Sequence, residues 1–145
     1  MTIPVDCKLY KNDSNQYDIQ WDDAGDFAMT PTLETATLLS LTNERRAKDY
    51  EINSAKYRRG WIGNLLYKDT DHEDGCGNWL YEQKRLNSKT LNGVRDESEK
   101  GLLWMISDNL AKLVTVDTQI DGKDIVININ IRLIDDAYFV QSFTL

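Results

Sequence analysis

Arginines are the residues of this chain whose types and spacing most clearly suggest chemistry. Four of the 17 basic residues fall within 15 positions: Arg45, Arg46, Arg58 and Arg59. A guanidinium group binds a carboxylate through two parallel hydrogen bonds, which an ammonium group cannot do. We therefore expect one or more of these arginines to dock acidic side chains of a neighbouring protein. The alternative is internal pairing that ties a loop to a helix, and the nearby acids are Glu34, Glu44 and Asp49.

The segment RRGWIG, residues 58–63, joins two of these arginines to a tryptophan. Its glycines, Gly60 and Gly63, lie three positions apart and no lysine–serine ending follows, so the segment is not a phosphate-binding P-loop. The two glycines predict backbone turns. The large ring of Trp61 favours a buried anchor, with contact to a partner protein as the alternative.

Side chains that commonly carry catalysis or bind metals form no recognisable pattern. The one histidine, His72, has no serine or cysteine motif near it. A calcium-binding loop starting at Asp69 would need glycine and glutamate where Asp74 and Leu80 stand. The carboxylates include no pair in the context of a glycosidase dyad. We expect no catalytic residue, no metal site and no cofactor, and we interpret the run 69–75 as a solvated acidic loop.

Composition indicates a globular protein of one domain, residues 1–145, with 41% hydrophobic and 28% charged residues. The net charge of −7 argues against nucleic-acid binding, which needs a basic surface. No run of about 18 apolar residues predicts a membrane span, and the first residues lack the pattern of a signal peptide. Cys7 and Cys76 match no metal or redox spacing, so we interpret them as free thiols in a reducing cytoplasm.

Patterns in the first part of the chain predict a hairpin and then a helix. Apolar and polar residues alternate over positions 17–21, after a polar turn, which is typical of a β-hairpin over 8–21. A helix is predicted over about 31–48, with Thr30 as its N-cap and Pro31 at its first position.

Two further helices are predicted over about 79–86 and 88–109. Apolar and small residues recur at three- and four-residue steps along the longer one. Ser88 can cap its start, and Asn109 is a suitable stop. Gly101 lies inside it, where the missing side chain lets another element approach closely.

The end of the chain predicts a hairpin over about 112–134. Asp121–Gly122 is a favoured two-residue loop, which would place Val116 opposite Ile127. The apolar face of the second strand consists of Ile125, Ile127, Ile129, Ile131 and Leu133. The tail 135–145 is either another strand or an arm. Together these elements predict an α+β fold, a small single domain in which an antiparallel sheet that includes this hairpin packs on two or three helices.

Four segments, in chain order, resemble the Mu-type phage tail family named after gene product forty-six. They are TPTLETATLLSLTNERRAKD, RRGWIGN, NWLYEQKRL and SEKGLLWMISDNLAKLVTVD. The resemblance spans about residues 24–134, and LETATLLSLTNERRA and RRGWIGN are its most specific parts. That family is similar to the T4 wedge proteins once called lysozyme-like, and to the matching subunit of type VI secretion baseplates.

The resemblance implies a structural, non-enzymatic role in the baseplate of a contractile tail, from a phage or a prophage-derived particle. Members sit in the wedge at the inner ring and template the first ring of sheath. The implied partners are other wedge proteins and the tail sheath protein, and the isolated protein would be a monomer or weak dimer. The implied location is the virion tail baseplate, after synthesis in the bacterial host cytoplasm. A lysozyme-like cell-wall hydrolase and a generic assembly adaptor remain alternative functions.

Two motifs of the wider group are altered here. Its Glu-Pro-Arg motif is replaced by NLAK at Asn109–Lys112, and only Glu44–Arg45 represents its GERxMxP motif. In the superfamily the hairpin region accepts strands from the sheath subunit. We expect Ile125–Leu133 to be an edge strand that does so, with a fully internal strand as the alternative. The predicted partner-binding residues are Arg45, Arg46, Arg58, Arg59, Trp61, Lys112, Ile125, Ile127, Ile129 and Arg132.

Overall fold

The structure is a computed structural model, and it describes residues 5–14, 16–66 and 73–145. The described residues form short helices and antiparallel sheets, so the predicted α+β fold class is confirmed. His72 and most of the predicted acidic loop 69–75 lie outside the described residues.

Backbone contacts divide the chain into two compact units, Met1–Leu38 and Leu39–Leu145. The single domain over 1–145 stays a prediction. None of the described helices is long and apolar enough to cross a membrane.

The first unit contains two small antiparallel ribbons. Strand β1 (Asp6–Cys7) pairs with β4 (Met29–Thr30), and β2 (Leu9–Lys11) pairs with β3 (Tyr17–Ile19). The predicted hairpin over 8–21 is thus confirmed in β2 and β3. Beyond β3, a single antiparallel bridge joins Trp21 to Phe27, a residue just before β4.

Helix α1 spans Glu34–Thr42 and is shorter than the predicted 31–48. Thr30 is not its N-cap, because Thr30 lies in β4. The helix stops before Glu44, since Glu44 forms a parallel bridge with Cys76 that requires extended backbone.

The remaining helical elements all lie in the second unit. They are a 3-10 turn at Ala55–Tyr57, α2 (Gly63–Leu66), a second 3-10 turn at Asn78–Tyr81, α3 (Ser88–Leu102) and α4 (Trp104–Ser107). The predicted helix 79–86 is therefore only a 3-10 turn. The predicted helix 88–109 is present as α3 and α4, interrupted at Leu103 by i,i+3 hydrogen bonds that tighten the backbone.

Both ends of this helical pair have clear caps. The side chain of Asn87, not that of the predicted Ser88, accepts the hydrogen bond from the Thr90 amide at 3.0 Å. After α4, Asn109 adopts a left-handed φ of 57° and the Leu110 amide donates to the Met105 carbonyl at 2.9 Å. The predicted stop at Asn109 is thus confirmed.

Three strands form the C-terminal sheet, in the order β5 (Ala111–Asp121), β6 (Asp124–Leu133) and β7 (Tyr138–Thr144). The predicted hairpin is confirmed, and the tail 135–145 supplies β7. Its loop is Gly122–Lys123, because Asp121 pairs with Asp124. Val116 therefore faces Ile129 and not Ile127, so the predicted register is wrong by two residues.

Strand β6 is the central strand of this sheet, because β5 pairs along one side and β7 along the other. The interpretation of Ile125–Leu133 as a free edge is therefore wrong. The apolar face of β6 is buried, as predicted, and α3 and α4 contact β5. The side chains with the least exposure in this core are Val94, Leu102, Met105, Ile127, Ile129 and Ile131.

Candidate partner-binding site

The four arginines lie on residues 43–62, here called the arginine loop, which is held to its neighbours by backbone hydrogen bonds. The Arg45 amide donates to Cys76 at 3.1 Å, and the Cys76 amide donates to Asn43 at 3.0 Å. The Trp61 amide donates to the Glu44 carbonyl at 2.7 Å. The start of the loop therefore lies between its own end and the segment around Cys76.

Arg45 is an internal structural residue in this arrangement. Its side chain is only 13% exposed. Its Nε donates to Glu97 on α3 at 2.8 Å, and its two terminal nitrogens donate to Glu51 at 2.9 and 2.7 Å. Its carbonyl accepts from the indole of Trp79 at 3.0 Å. The internal alternative from the sequence describes Arg45 correctly, but with acids that the sequence did not indicate.

Electrostatics reinforce this charge cluster of Arg45, Glu51 and Glu97. Hydrogen bonds from Arg45 lower the pKa of Glu51 to about 2. Burial alone would raise the pKa of Glu97, but hydrogen bonds from Arg45 and Lys100 outweigh it and lower the pKa. The hydrogen bond to Glu51 is the main reason that the pKa of Arg45 lies above its usual value. All three groups are therefore charged at neutral pH.

Gly77 makes room for the charge cluster. Its amide donates to Glu97 Oε2 at 3.0 Å, and a Cβ at this position would lie 2.4 Å from the same oxygen. The predicted role of Gly101 is also confirmed, because a Cβ there would lie 2.9 Å from that of Cys76. These glycines permit the close approach of α3 to the segment around Cys76.

Arg58 and Arg59 also pair within the chain, with acids that the sequence in part indicated. Arg58 forms an ion pair with Asp49. Arg59 pairs with Glu44 at 2.8 Å and Glu82 at 3.3 Å, and its guanidinium lies 4.9 Å from the ring centre of Trp79. The Arg59 side chain is 43% exposed against 22% for Arg58, so Arg59 is the more outward of the two. Part of its side chain therefore stays exposed while it holds the loop.

Trp61 lies at the surface, directly after two residues with left-handed backbone. These are Arg59, with a φ of 47°, and Gly60, with a φ of 111°. Trp61 is 40% exposed, and the interpretation of its ring as a buried anchor is wrong. Its ring lies over Gly63, where a Cβ would come within 2.0 Å of it. The exposed ring is therefore held against the backbone of α2.

Arg46 differs from the other three arginines. Its backbone amide donates to Glu73 at 3.1 Å, and the residue is exposed. Within residues 5–14, 16–66 and 73–145, no carboxylate lies within ion-pair distance of its guanidinium. Arg46 is thus the predicted residue whose charge is most available to another protein.

The predicted residues outside the loop lie on the C-terminal sheet. Lys112 and Arg132 both pair with Asp136, at 2.9 and 2.7 Å. The hydrogen bond from Lys112 is the main reason that the pKa of Asp136 lies below its usual value. Ile125, Ile127 and Ile129 are buried in the central strand, so their side chains face the core and not a partner.

Sequence reasoning missed Glu51, Glu97 and Asp136, each of which holds one or two basic side chains. For Glu97 a signal existed, because it lies three residues after Val94 and four before Gly101. This spacing puts a carboxylate on the buried face of a helix, where it needs a charged partner. Among the described residues, no cluster of three or more histidine, cysteine or acidic side chains is placed to hold a metal ion.

A comparison with family models matches residues 33–137 to the phage protein GP46 family. This range covers most of the chain. The chain belongs to the phage protein GP46 family. No curated protein matches it. In this GP46 protein the matched residues include the arginine loop, α3 and the β5–β6 hairpin, whereas β1–β4 and β7 lie outside them.

Proposed function

We propose that this GP46 protein is a structural component of the contractile tail baseplate, a wedge subunit that joins neighbouring wedge proteins and starts sheath assembly. Membership of a phage protein family supports a structural or assembly role in a phage. The observation that carries the finer proposal is the open outer edge of β7, to which a strand of another chain can add.

Hydrogen-bond alternation determines which backbone groups of β7 face outward. Leu145 and Ile125 exchange both of their backbone bonds, at 3.2 and 2.9 Å. In an antiparallel pair such residues alternate with residues that point away from the partner. The outward backbone groups of β7 are therefore those of Tyr138, Val140, Ser142 and Thr144. Among the described residues, β7 pairs with β6 alone.

The composition of β7 leaves this edge unprotected. Natural edge strands usually carry lysine, proline or a bulge that prevents pairing with another chain. The sequence of β7, YFVQSFT, contains no charged residue and no proline. Tyr138 and Val140 are 65% and 66% exposed. An unguarded, exposed edge of seven residues is long enough for a stable added strand.

The other edge of the sheet is partly covered by α3. The Val116 amide of β5 lies 3.4 Å from the Glu99 carboxylate, and the Thr118 hydroxyl donates to the Leu91 carbonyl at 3.1 Å. An incoming strand would have to displace these contacts. Strand β7 therefore replaces Ile125–Leu133 as the proposed site for the sheath protein. It lies just beyond the matched residues, so its edge chemistry, and not family membership, supports this assignment.

Wedge neighbours would contact the arginine loop. Arg46 is exposed, and so is Arg59, whose guanidinium lies over the ring of Trp79. Carboxylates of a neighbour can bind these groups in the bidentate geometry that arginine favours. We propose no enzymatic activity for the protein.

Val140→Pro tests strand addition without disturbing the sheet. The Val140 amide points outward, so proline removes a donor from the free edge and keeps the hydrogen bonds between β6 and β7. Val140→Thr is the matched control, because it keeps both the amide and β-branching. We expect the proline variant to fold, to enter no complex with the sheath protein, and to give particles without sheath.

Purified variants would be compared by circular dichroism, by co-assembly with the sheath protein, and by electron microscopy of tails. Normal sheath assembly from a folded Val140→Pro variant would overturn strand addition at β7. Absence of the protein from purified tails would overturn the baseplate role itself. A lytic activity on peptidoglycan that one carboxylate substitution abolishes would replace the proposal with a hydrolase.

A further inference from the structure

The first unit carries an apolar surface on one face of its ribbons. In β3 and its continuation, Tyr17, Ile19 and Trp21 alternate with polar residues, so their side chains share a face. Phe27 lies opposite Trp21, and Met29 follows two residues later in β4; both are exposed, whereas Ala28 and Thr30 between and after them are not. These five residues, here called the N-terminal apolar face, are between 37% and 61% exposed.

The aromatic residues of this face are ordered against each other. The ring centres of Trp21 and Phe27 lie 4.8 Å apart at an angle of 44°. At the other end, the Lys11 ammonium lies 5.8 Å from the ring centre of Tyr17. Exposed tryptophan, tyrosine, phenylalanine and methionine in one patch are typical of the centre of a protein–protein interface.

Acidic residues border this face. Asp22, Asp23 and Asp26 form the turn that connects Trp21 to Phe27, and all three are exposed. Residues 1–38 carry seven acidic side chains against two lysines, so five of the seven net negative charges fall in this unit. A partner that covers the apolar face must therefore bring basic side chains to its margin.

The same charge argues against a second copy as the occupant. A symmetric dimer through this face would bring two acidic turns to one interface, where like charges repel. The face also lies outside residues 33–137, so the family match does not account for it.

We propose that the N-terminal apolar face is a docking surface for a different protein, one with an exposed apolar patch bordered by lysine and arginine. Its residues belong neither to β7 nor to the arginine loop. Burial of Trp21 and Phe27 would supply most of the affinity. The acidic turn would orient the partner and raise the rate of association.

Site-specific cross-linking in cells that produce the protein identifies the occupant. The photoreactive residue p-benzoylphenylalanine would stand in place of Ile19, on the face, or of Tyr10, which pairs with Asp18 on the opposite side of the same ribbon. We expect a cross-linked product from the Ile19 position only, and its attached peptide should be apolar with flanking basic residues. Cross-links to a second copy, to the chain itself, or equally from both positions would overturn the proposal.

Binding of the purified full-length protein to the identified partner then tests the chemistry. We expect Trp21→Ser to weaken binding by about 30-fold or more, as for a central interface tryptophan. Tyr10→Ser should leave the affinity unchanged, and it is the control because Tyr10 is also an exposed aromatic residue, at 44% against 61% for Trp21, but pairs with Asp18 on the opposite side of the ribbon. Asp23→Lys should slow association and reduce its dependence on salt. Equal affinities for Trp21→Ser and Tyr10→Ser would overturn the proposal, whether or not the baseplate role holds.

Discussion

Removal of Glu97 is the strongest test of how the charge cluster holds the arginine loop. Its side chain is 7% exposed and accepts hydrogen bonds from Arg45 at 2.8 Å, Gly77 at 3.0 Å and Lys100 at 3.0 Å. Glu97→Ala leaves a buried amide and a guanidinium N–H without partners. Loss of one member of a buried charge pair costs about 3–5 kcal/mol, and because Arg45 keeps Glu51 we expect the unfolding free energy to fall by about 3 kcal/mol.

Glu97→Gln separates charge from geometry. The amide oxygen can occupy the place of Oε2 and still accept from Arg45 and Gly77, while the amide nitrogen faces Lys100. Lys100 is mostly exposed and can turn into solvent. We therefore expect a smaller loss of about 1–2 kcal/mol, because charge-assisted hydrogen bonds become neutral ones.

Asp96→Ala is the control, since Asp96 is exposed on the same helix and pairs with its neighbour Arg95 at 3.1 Å. Its effect should stay within about 0.5 kcal/mol, as for most surface substitutions. Urea unfolding, followed by circular dichroism and tryptophan fluorescence, gives the three free energies. A loss for Glu97→Ala no larger than that for Asp96→Ala would refute the assignment of the cluster as the anchor of the loop.

Two further predictions concern titration and reactivity. The pKa of Glu51 is about 2 in the folded protein against 4.5 for the free group, so its contribution is complete above about pH 5 and is lost as the pH falls toward about 2. Acid titration of the unfolding free energy should therefore be less steep for Glu51→Gln, and an unchanged slope would contradict the pairing with Arg45. Burial raises the pKa of the Cys76 thiol to about 11, whereas Cys7 is only partly buried. In the native protein one thiol should react quickly with a chromogenic disulfide reagent near about pH 8, and none should do so in Cys7→Ser; two fast thiols would contradict this.

The sequence predicted the C-terminal sheet well in one respect and poorly in another. Alternation identified the buried face of β6, because isoleucine at every second position of a strand places all of these apolar side chains on one face, which must be buried. It could not determine the register, since a shift of two residues leaves every side chain on the same face. The choice between Asp121–Gly122 and Gly122–Lys123 as the loop therefore depended on turn preference alone, and the preferred dipeptide was not the one used.

The local sequence pattern also could not predict which strand lies at the edge of the sheet. Strand β6 is central only because β7, at the end of the chain, returns beside it. The tail contained a strand-like segment, but alternation carries no information about which neighbour a strand selects. The same limit explains the misplaced sheath-binding edge.

The arginine loop shows a third kind of limit. The sequence correctly offered internal pairing as an alternative, and Asp49 and Glu44 were among the acids it indicated. It did not find Glu97 as a partner of Arg45, because Glu97 lies 52 residues away. It also missed Glu51, although Glu51 lies only six residues from Arg45. The exposure of Trp61 was not predicted either, and neither was the left-handed backbone of Arg59 before it, because that conformation is uncommon for a residue other than glycine.

The distance along the chain between Arg45 and Glu97 also has a kinetic consequence. Their contact closes a segment of 52 residues, whereas α3 and the β5–β6 hairpin form from contacts between near neighbours in sequence. Closure of a long segment costs conformational entropy, and this cost is lower once the helix and the hairpin that flank the contact have formed. We expect the arginine loop to dock after the transition state for folding, so that a weakened charge cluster accelerates unfolding and leaves the folding rate nearly unchanged.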